Sequence, residues 1–347
     1  MKSFEPGFIE SQPITQNLLR TVRLLGEHKG KEELFQQQIP QALETLRQAA
    51  IIQSTESSNR LEGITAPLQR IRALMAQKTT PRTRSEQEIA GYRDVLNTIH
   101  ANHAHMPFTT GVALQLHRDL YRYLATEGGH WKSVDNEIAE TRPDGTKITR
   151  FHPAAAFTTP DYMEKLHLRF NALWQAEEIE KLVLIPAYVL DFLCIHPFLD
   201  GNGRIARLLS LLLLYQAGFD VGRYISLEKI VEQSKESYYD SLYQSSQGWH
   251  EGKHTLLPWT EYFLGVLVAA YREFAQRVGL LTTARGAKTE MVLEAIRAMH
   301  GEFSVKDLQD RCPHVGIDLI RRILRQQRQA KALECLGRGP DARWRNI

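Results

Sequence analysis

Apolar residues recur at i, i+3 and i+4 through nearly the whole chain, the spacing of one face of an α-helix. The pattern predicts amphipathic helices over 14–25, 40–58, 86–103, 111–124, 159–174, 183–195 and 204–217, the last followed by Gly218 where a terminating glycine belongs. Further helices follow at 227–230, 235–246 and 258–278. One segment breaks the pattern. Residues 134–151 alternate around Arg142-Pro143-Asp144-Gly145, and Asp-Gly between such residues is a hairpin signal, so a two-stranded flap leaning on the helical body is expected there. The stretch 278–288 reads as a short connection. Helices at 289–299, 306–311 and 318–329 then precede two short strands within 332–337 and 340–344, the order of a winged helix-turn-helix with the third helix as its recognition helix. The expected fold class is mainly α: an N-terminal helical region (1–100), a helical core with its hairpin flap (101–278) and a C-terminal winged helix (286–347).

Composition narrows the picture. A chain of 347 residues, 43% hydrophobic and 24% charged, has ample material for folded cores and excludes a largely disordered protein. The net charge is +3, yet 320–347 alone carries eight Lys/Arg against two Asp/Glu, a net +6 that leaves the rest at −3. Any polyanion-binding role therefore falls to the C-terminal part. Three cysteines, Cys194, Cys312 and Cys335, form no C-x-x-C pair, which argues against a disulfide scaffold or a cysteine zinc site. The N-terminal residues hold no apolar signal core. The longest apolar run, 182–195, contains Pro186 and Asp191 and falls short of the ~20 residues that span a bilayer. A soluble, cytoplasmic protein without membrane contact is the expectation.

The chemistry concentrates in His196-Pro197-Phe198-Leu199-Asp200-Gly201-Asn202-Gly203-Arg204, with Arg207 three residues on. Lying between two apolar helices, this is a tight loop built for an anion. Gly201 and Gly203 free backbone N–H groups to turn inward, and the helix that starts there adds its positive end. Arg204 and Arg207 fall on the first turns of that helix and suit phosphate oxygens. Asp200 is a hard oxygen ligand suited to Mg²⁺. His196 ends the preceding helix, where the dipole is expected to favour the imidazolium and strengthen the base. A base, a magnesium ligand and a phosphate cradle within twelve residues describe nucleotidyl or phosphoryl transfer.

This run resembles the signature of the Fic domain family, H-P-F-x-[D/E]-G-N-G-R with a second arginine at Arg207. The resemblance implies a mostly helical transferase that moves AMP from ATP to a Ser, Thr or Tyr hydroxyl of a target protein. It implies His196 as the base, Asp200 as the Mg²⁺ ligand, and the Gly201, Asn202 and Gly203 backbone with the Asn202 side chain as the phosphate cradle. Arg204 would contact the β-phosphate and Arg207 the γ-phosphate, with Phe198 anchoring the loop. The flap at 134–151 sits where the family docks its target by strand pairing. Ser234 and Tyr239 lie in a stretch similar to the family's N-[KR]-x-x-Y-Y near the adenine, with Ser234 departing from the usual Asn. Ser58-Asn59-Arg60-Leu61-Glu62-Gly63 resembles the inhibitory pattern [S/T]-x-x-x-E-[G/N]; in this family class Glu62 would pair with Arg207 and deny it to the γ-phosphate. The same glutamate would position a water if AMP removal is the task. Self-modification, another nucleotide donor and control by homo-oligomerisation stay open.

Two rival readings remain. His250-Glu251-Gly252-Lys253-His254, with Glu273, fits H-E-x-x-H zinc chemistry, but Gly248, Gly252 and Pro258 argue for a loop where that motif needs a helix. Arg321, Arg322, Arg325 and Arg328 on the third C-terminal helix suit either DNA, bound through 289–347, or a protein-interaction module with a solvated basic face.

Overall fold

The computed structural model describes residues 2–38, 40–141, 146–283, 287–297, 299, 301–312, 315–337 and 342–346. The chain divides into two compact units, one made of Met1–Gly26 and Gln48–Tyr271, the other of Glu27–Arg47 and Arg272–Ile347. In chain order the elements begin α1 (Gln16–Gln38), α2 (Pro40–Leu61), α3 (Leu68–Met75), α4 (Arg84–Asn102), α5 (Thr110–Leu120), β1 (Ile138–Thr141) and β2 (Lys147–Phe151). They continue with α6 (Thr159–Ala176), α7 (Lys181–Ile195), α8 (Asn202–Gln216), α9 (Leu227–Gln233), α10 (Lys235–Ser246) and α11 (Leu257–Thr283). The last are α12 (Ala287–Arg297), β3 (Glu302–Phe303), α13 (Val305–Arg311), α14 (Ile317–Gln329), β4 (Leu333–Cys335) and β5 (Trp344–Asn346). Among the described residues no helix is long and apolar enough to cross a membrane.

The larger unit is organised around α7 and α8, both almost wholly buried: α7 is apolar but for Lys181 and Asp191, while α8 is apolar between its ends except for a polar stripe of Arg204, Arg207 and Ser210. Asp191, the one acid in α7, survives there because Ser3 Oγ and Trp249 Nε1 each donate to its carboxylate at 2.6 Å. Around this pair, Thr83, Thr109 and Ser226 close the starts of α4, α5 and α9 by accepting backbone N–H groups. α2 ends as its sequence demands: Gly63 takes a left-handed φ of 76°, and the N–H of Ile64 reaches back 2.9 Å to the Asn59 carbonyl. β1 and β2 pair antiparallel as the flap, while its Arg142–Gly145 turn lies outside the described residues.

The smaller unit packs α12, α13 and α14 against a three-stranded antiparallel sheet of order β3-β5-β4. Several details of the chain differ from expectation, among them α1, which runs to Gln38 rather than ending at 25. β3 is an additional strand, too short for its alternation to show in the sequence. α11 continues to Thr283, so most of the stretch read as a connection is helix, with Gly279 carried in its interior at a cost of about 1 kcal/mol. α3 was not foreseen, and residues 340–341 of the expected last strand lie outside the described residues, with β5 occupying 344–346.

Candidate active site

The loop between α7 and α8 is held rigidly from inside. Phe198 is fully buried and lies flat on the His117 ring, with centroids 3.7 Å apart and planes at 7°. Burying a phenyl ring is worth roughly 1.5–3 kcal/mol, enough to fix a short loop on the core. His117 also takes the Gly129 N–H on Nδ1 at 2.9 Å and places Nε2 3.1 Å from the Asp200 carbonyl. Burial pushes its pKa down to about 4. The Asn202 side chain folds back onto Phe198, accepting its N–H at 2.9 Å and donating to its carbonyl at 2.7 Å. Both ends of that amide are thus spent on closing the loop. Gly201 adopts a φ of 81°, where a side chain would be strained.

A second set of braces comes from the segment before the flap. Lys132 Nζ donates to the Ile195 carbonyl at 3.0 Å and to Asn136 Oδ1 at 2.8 Å, while its backbone N–H meets the Pro197 carbonyl at 2.8 Å. Asn136 Nδ2 donates to the carbonyls of His196 (3.3 Å) and Phe198 (3.0 Å).

His196 sits at the end of α7 with a left-handed φ of 50°, uncommon outside glycine. Its Nδ1 lies 3.3 Å from the Leu193 carbonyl, so Nδ1 carries the proton and Nε2 keeps the lone pair. The expectation that the helix dipole would raise its basicity is corrected by the structure. Burial dominates and pushes the pKa down to about 4, with Lys132 acting in the same direction and the Leu193 carbonyl, Glu62 and Asp200 only partly opposing it. The imidazole is therefore neutral at ordinary pH.

Asp200 is exposed at the loop's tip and accepts the Gly201 N–H at 2.6 Å. Burial works against its ionisation, but the Arg204 guanidinium, Tyr121 and the Gly201 N–H hold its pKa below the usual carboxylate value. As a single carboxylate it suits a Mg²⁺ that keeps waters and takes its remaining ligands from substrate phosphates. Among the described residues no group of three or more His, Cys, Asp or Glu could hold a metal by itself. His250 and His254 are engaged separately, with the His152 carbonyl (2.7 Å) and Ser3 Oγ (2.9 Å), in a turn that is not helical.

The two arginines are treated differently. Arg204 is buried, and its Nη1 meets Glu88 Oε2 of α4 at 2.6 Å. Its Nε and Nη2 are buried without a hydrogen bond, though Nη2 stands 3.6 Å from Asp200 Oδ2. Arg207 is held by the end of α2 through Nε and Nη2: Nε donates to Ser58 Oγ at 2.8 Å, Nη2 to the Ser58 carbonyl at 2.9 Å and to Glu62 Oε1 at 2.7 Å. The Glu62 carboxylate lies over the first turn of α8, so close that a Cβ at Gly203 would collide with Oε1. Beside this pair, Tyr238 is buried and Tyr239 is partly exposed. Ser234 bonds the Ile230 carbonyl and Tyr262, both at 2.8 Å. A small, mostly apolar cavity of about 50 Å³, lined by Arg207, Tyr238 and Tyr262 among others, opens behind them.

Glu88, His117, Lys132 and Asn136 escaped the sequence reading. A signal existed for Glu88: it falls with Tyr92, Val95 and Ile99 on the apolar stripe of α4, and a carboxylate there requires a buried partner. No spacing marks the other three.

Residues 107–214 match the model of the Fic/DOC family. A relative named protein adenylyltransferase Fic, from Nematostella vectensis, is 27% identical over 210 residues, covering 57% of this chain and 44% of that protein. The chain thus spans under half of that relative. A Fido domain-containing protein from Dictyostelium discoideum is 29% identical over 103 residues, 28% of this chain and 68% of its own. Among solved structures, a Fic family protein from Desulfovibrio desulfuricans superposes with a TM-score of 0.63 at 23% identity, covering 96% of this chain and 97% of that one. A Fic domain-containing signaling protein from Bacteroides thetaiotaomicron gives 0.60 at 22% identity, covering 72% and 95%. The fold is that of these proteins, and the chain carries a Fic/DOC family domain.

Proposed function

We propose that the domain is a protein adenylyltransferase, moving AMP from ATP to a Ser, Thr or Tyr hydroxyl of a target protein, and that Glu62 restrains it. One observation carries the reading. A single turn presents a neutral imidazole with a free Nε2, an exposed carboxylate, and buried guanidinium donors on Arg204 that make no hydrogen bond. Buried donors without partners are costly, and the phosphates of a nucleotide would satisfy them.

In the reaction His196 Nε2 takes the hydroxyl proton as the oxygen bonds to the α-phosphorus; the bond from that phosphorus to the bridging oxygen breaks, and pyrophosphate leaves. The Gly201, Asn202 and Gly203 backbone and the Arg204 guanidinium hold the α- and β-phosphates. Mg²⁺ held at Asp200 would offset charge on the departing pyrophosphate. Arg207 would take the γ-phosphate once Glu62 and Ser58 release it. Ser234 and Tyr239 would lie toward the nucleoside, and the target strand would pair with the flap at 134–151. In this reading 1–100 bears the restraining segment, 101–278 the transferase and 286–347 a winged-helix module.

A second reading, removal of AMP from a modified target, is favoured by one feature: the Glu62 charge acts on His196, so a water between them would be polarised from both sides. Incubation with α-labelled ATP and Mg²⁺ separates the two. Label on the protein itself that rises in Glu62→Gly and disappears in Glu62→Gly/His196→Ala supports transfer. Silence in Glu62→Gly, with release of AMP from a modified peptide by the wild type, would transfer support to removal.

A further inference from the structure

The smaller unit carries a surface that the transfer reaction leaves unused. In α14, Ile320, Ile323 and Leu324 are buried in a core with Val292, Leu308 and Trp344. Arg321, Arg322, Arg325 and Arg328 point the other way and are exposed. Positions 321, 325 and 328 follow i, i+4, i+7 and so line one face, with Arg322 beside them. Among the described residues none of the four stands in an ion pair, although Arg343 lies 3.8 Å from Asp307 and Arg345 2.7 Å from Glu334 in the same unit. The arginine row is thus left unneutralised where neighbouring arginines are paired.

We propose that this face of α14 binds duplex DNA, its arginines seated on phosphates. The occupant follows from three features. α13 and α14 are consecutive helices on one core, the order of a helix-turn-helix, and α14 turns its arginine face to solvent, where a helix can enter a major groove about 12 Å wide. The charged groups are guanidiniums, whose planar fork grips phosphate oxygens in pairs. The face also lacks a large exposed apolar side chain, which the centre of a protein–protein interface would need. The charge distribution agrees: 320–347 holds a net +6 while the remainder of the chain is acidic. This inference is independent of the transferase reading.

The test uses the full chain and a fluorescent duplex of arbitrary sequence, with polarisation followed from about 50 to 200 mM NaCl. Four phosphate contacts give a log–log salt slope of about −3.6 and a roughly 150-fold loss of affinity over that range. Arg321→Ala/Arg325→Ala should halve the slope to about −1.8, a roughly 12-fold loss. Because both side chains are exposed, its melting temperature should match the wild type; Arg321→Gln/Arg325→Gln, which keeps the side-chain bulk, provides a second variant with the same expected slope. Absence of binding at the lowest salt would overturn the proposal. So would a slope unchanged in both variants, or equal affinity for polyglutamate, which would point to an indiscriminate or protein-directed basic face.

Discussion

Glu88→Gln tests the hidden half of the site. Arg204 and Glu88 meet at 2.6 Å with side chains only 1% and 6% exposed, so neither charge has water to fall back on. Glutamine keeps the shape and one acceptor but removes the charge, leaving a buried guanidinium that already has two donors without hydrogen bonds. Breaking one side of a buried pair costs about 3–5 kcal/mol; the retained acceptor and the nearby Asp200 place this case near the lower figure, about 3 kcal/mol. For a unit of this size that corresponds to roughly 6–12 °C in Tm. Thermal melting by circular dichroism measures it, and label transfer from ATP should fall roughly 10- to 100-fold as Arg204 loses its orientation. The companion is Glu88→Leu/Arg204→Met, which removes both charges and should recover most of the stability while abolishing transfer. A Glu88→Gln protein melting within about 2 °C of wild type would refute the claim that this pair is desolvated and holds Arg204 in place.

Three further outcomes follow from the same geometry. Arg60 clamps the end of α2 to Glu232 of α9 through two hydrogen bonds of 2.7 and 3.0 Å, so Glu232→Gln should loosen the restraint; an exposed pair is worth about 0.2–1 kcal/mol, and basal self-labelling should rise roughly 1.5- to 5-fold. Burial lowers His117, His167, His196 and His254 from 6.5 to about 4, which means the unfolded chain binds more protons between those values. Stability is then complete above pH 6.5 and is lost as pH falls toward 4, seen as a Tm that drops steeply between pH 6.5 and 5; a flat Tm over that range would contradict it. Chelation by EDTA, or Asp200→Ala, should abolish transfer while leaving Tm within about 1 °C, because the carboxylate is exposed and surface substitutions cost little.

Much of the fold and the site was legible because the features responsible are local. Periodicity located α7 and α8, Asp-Gly located the flap, and the nine residues from His196 to Arg204 placed the loop, since a turn between two buried helices is fixed by its own glycines and by Phe198. Ser58 and Glu62 were legible as a spacing, and Gly63 as a helix stop. What stayed hidden depends on partners distant in sequence. Glu88 lies 116 residues from Arg204, and Lys132 lies 63 from Ile195. The basicity of His196 was misread for the same reason: the dipole is a property of its own helix, whereas burial is imposed by everything packed around it. β3 was invisible because two residues carry no alternation, and its pairing is decided by Trp344 and Arg345 across the sheet.

The central claim is that this site forms a bond between a protein hydroxyl and the α-phosphorus of ATP, with His196 as the base and Glu62 as the restraint. Intact-mass spectrometry of the wild type, Glu62→Gly and Glu62→Gly/His196→Ala after incubation with ATP and Mg²⁺ tests it most directly. The account predicts that Glu62→Gly gains the mass of one or more AMP groups, the wild type far less, and the double variant none. A gain of phosphate in place of AMP, or an AMP gain that persists without His196, would contradict it.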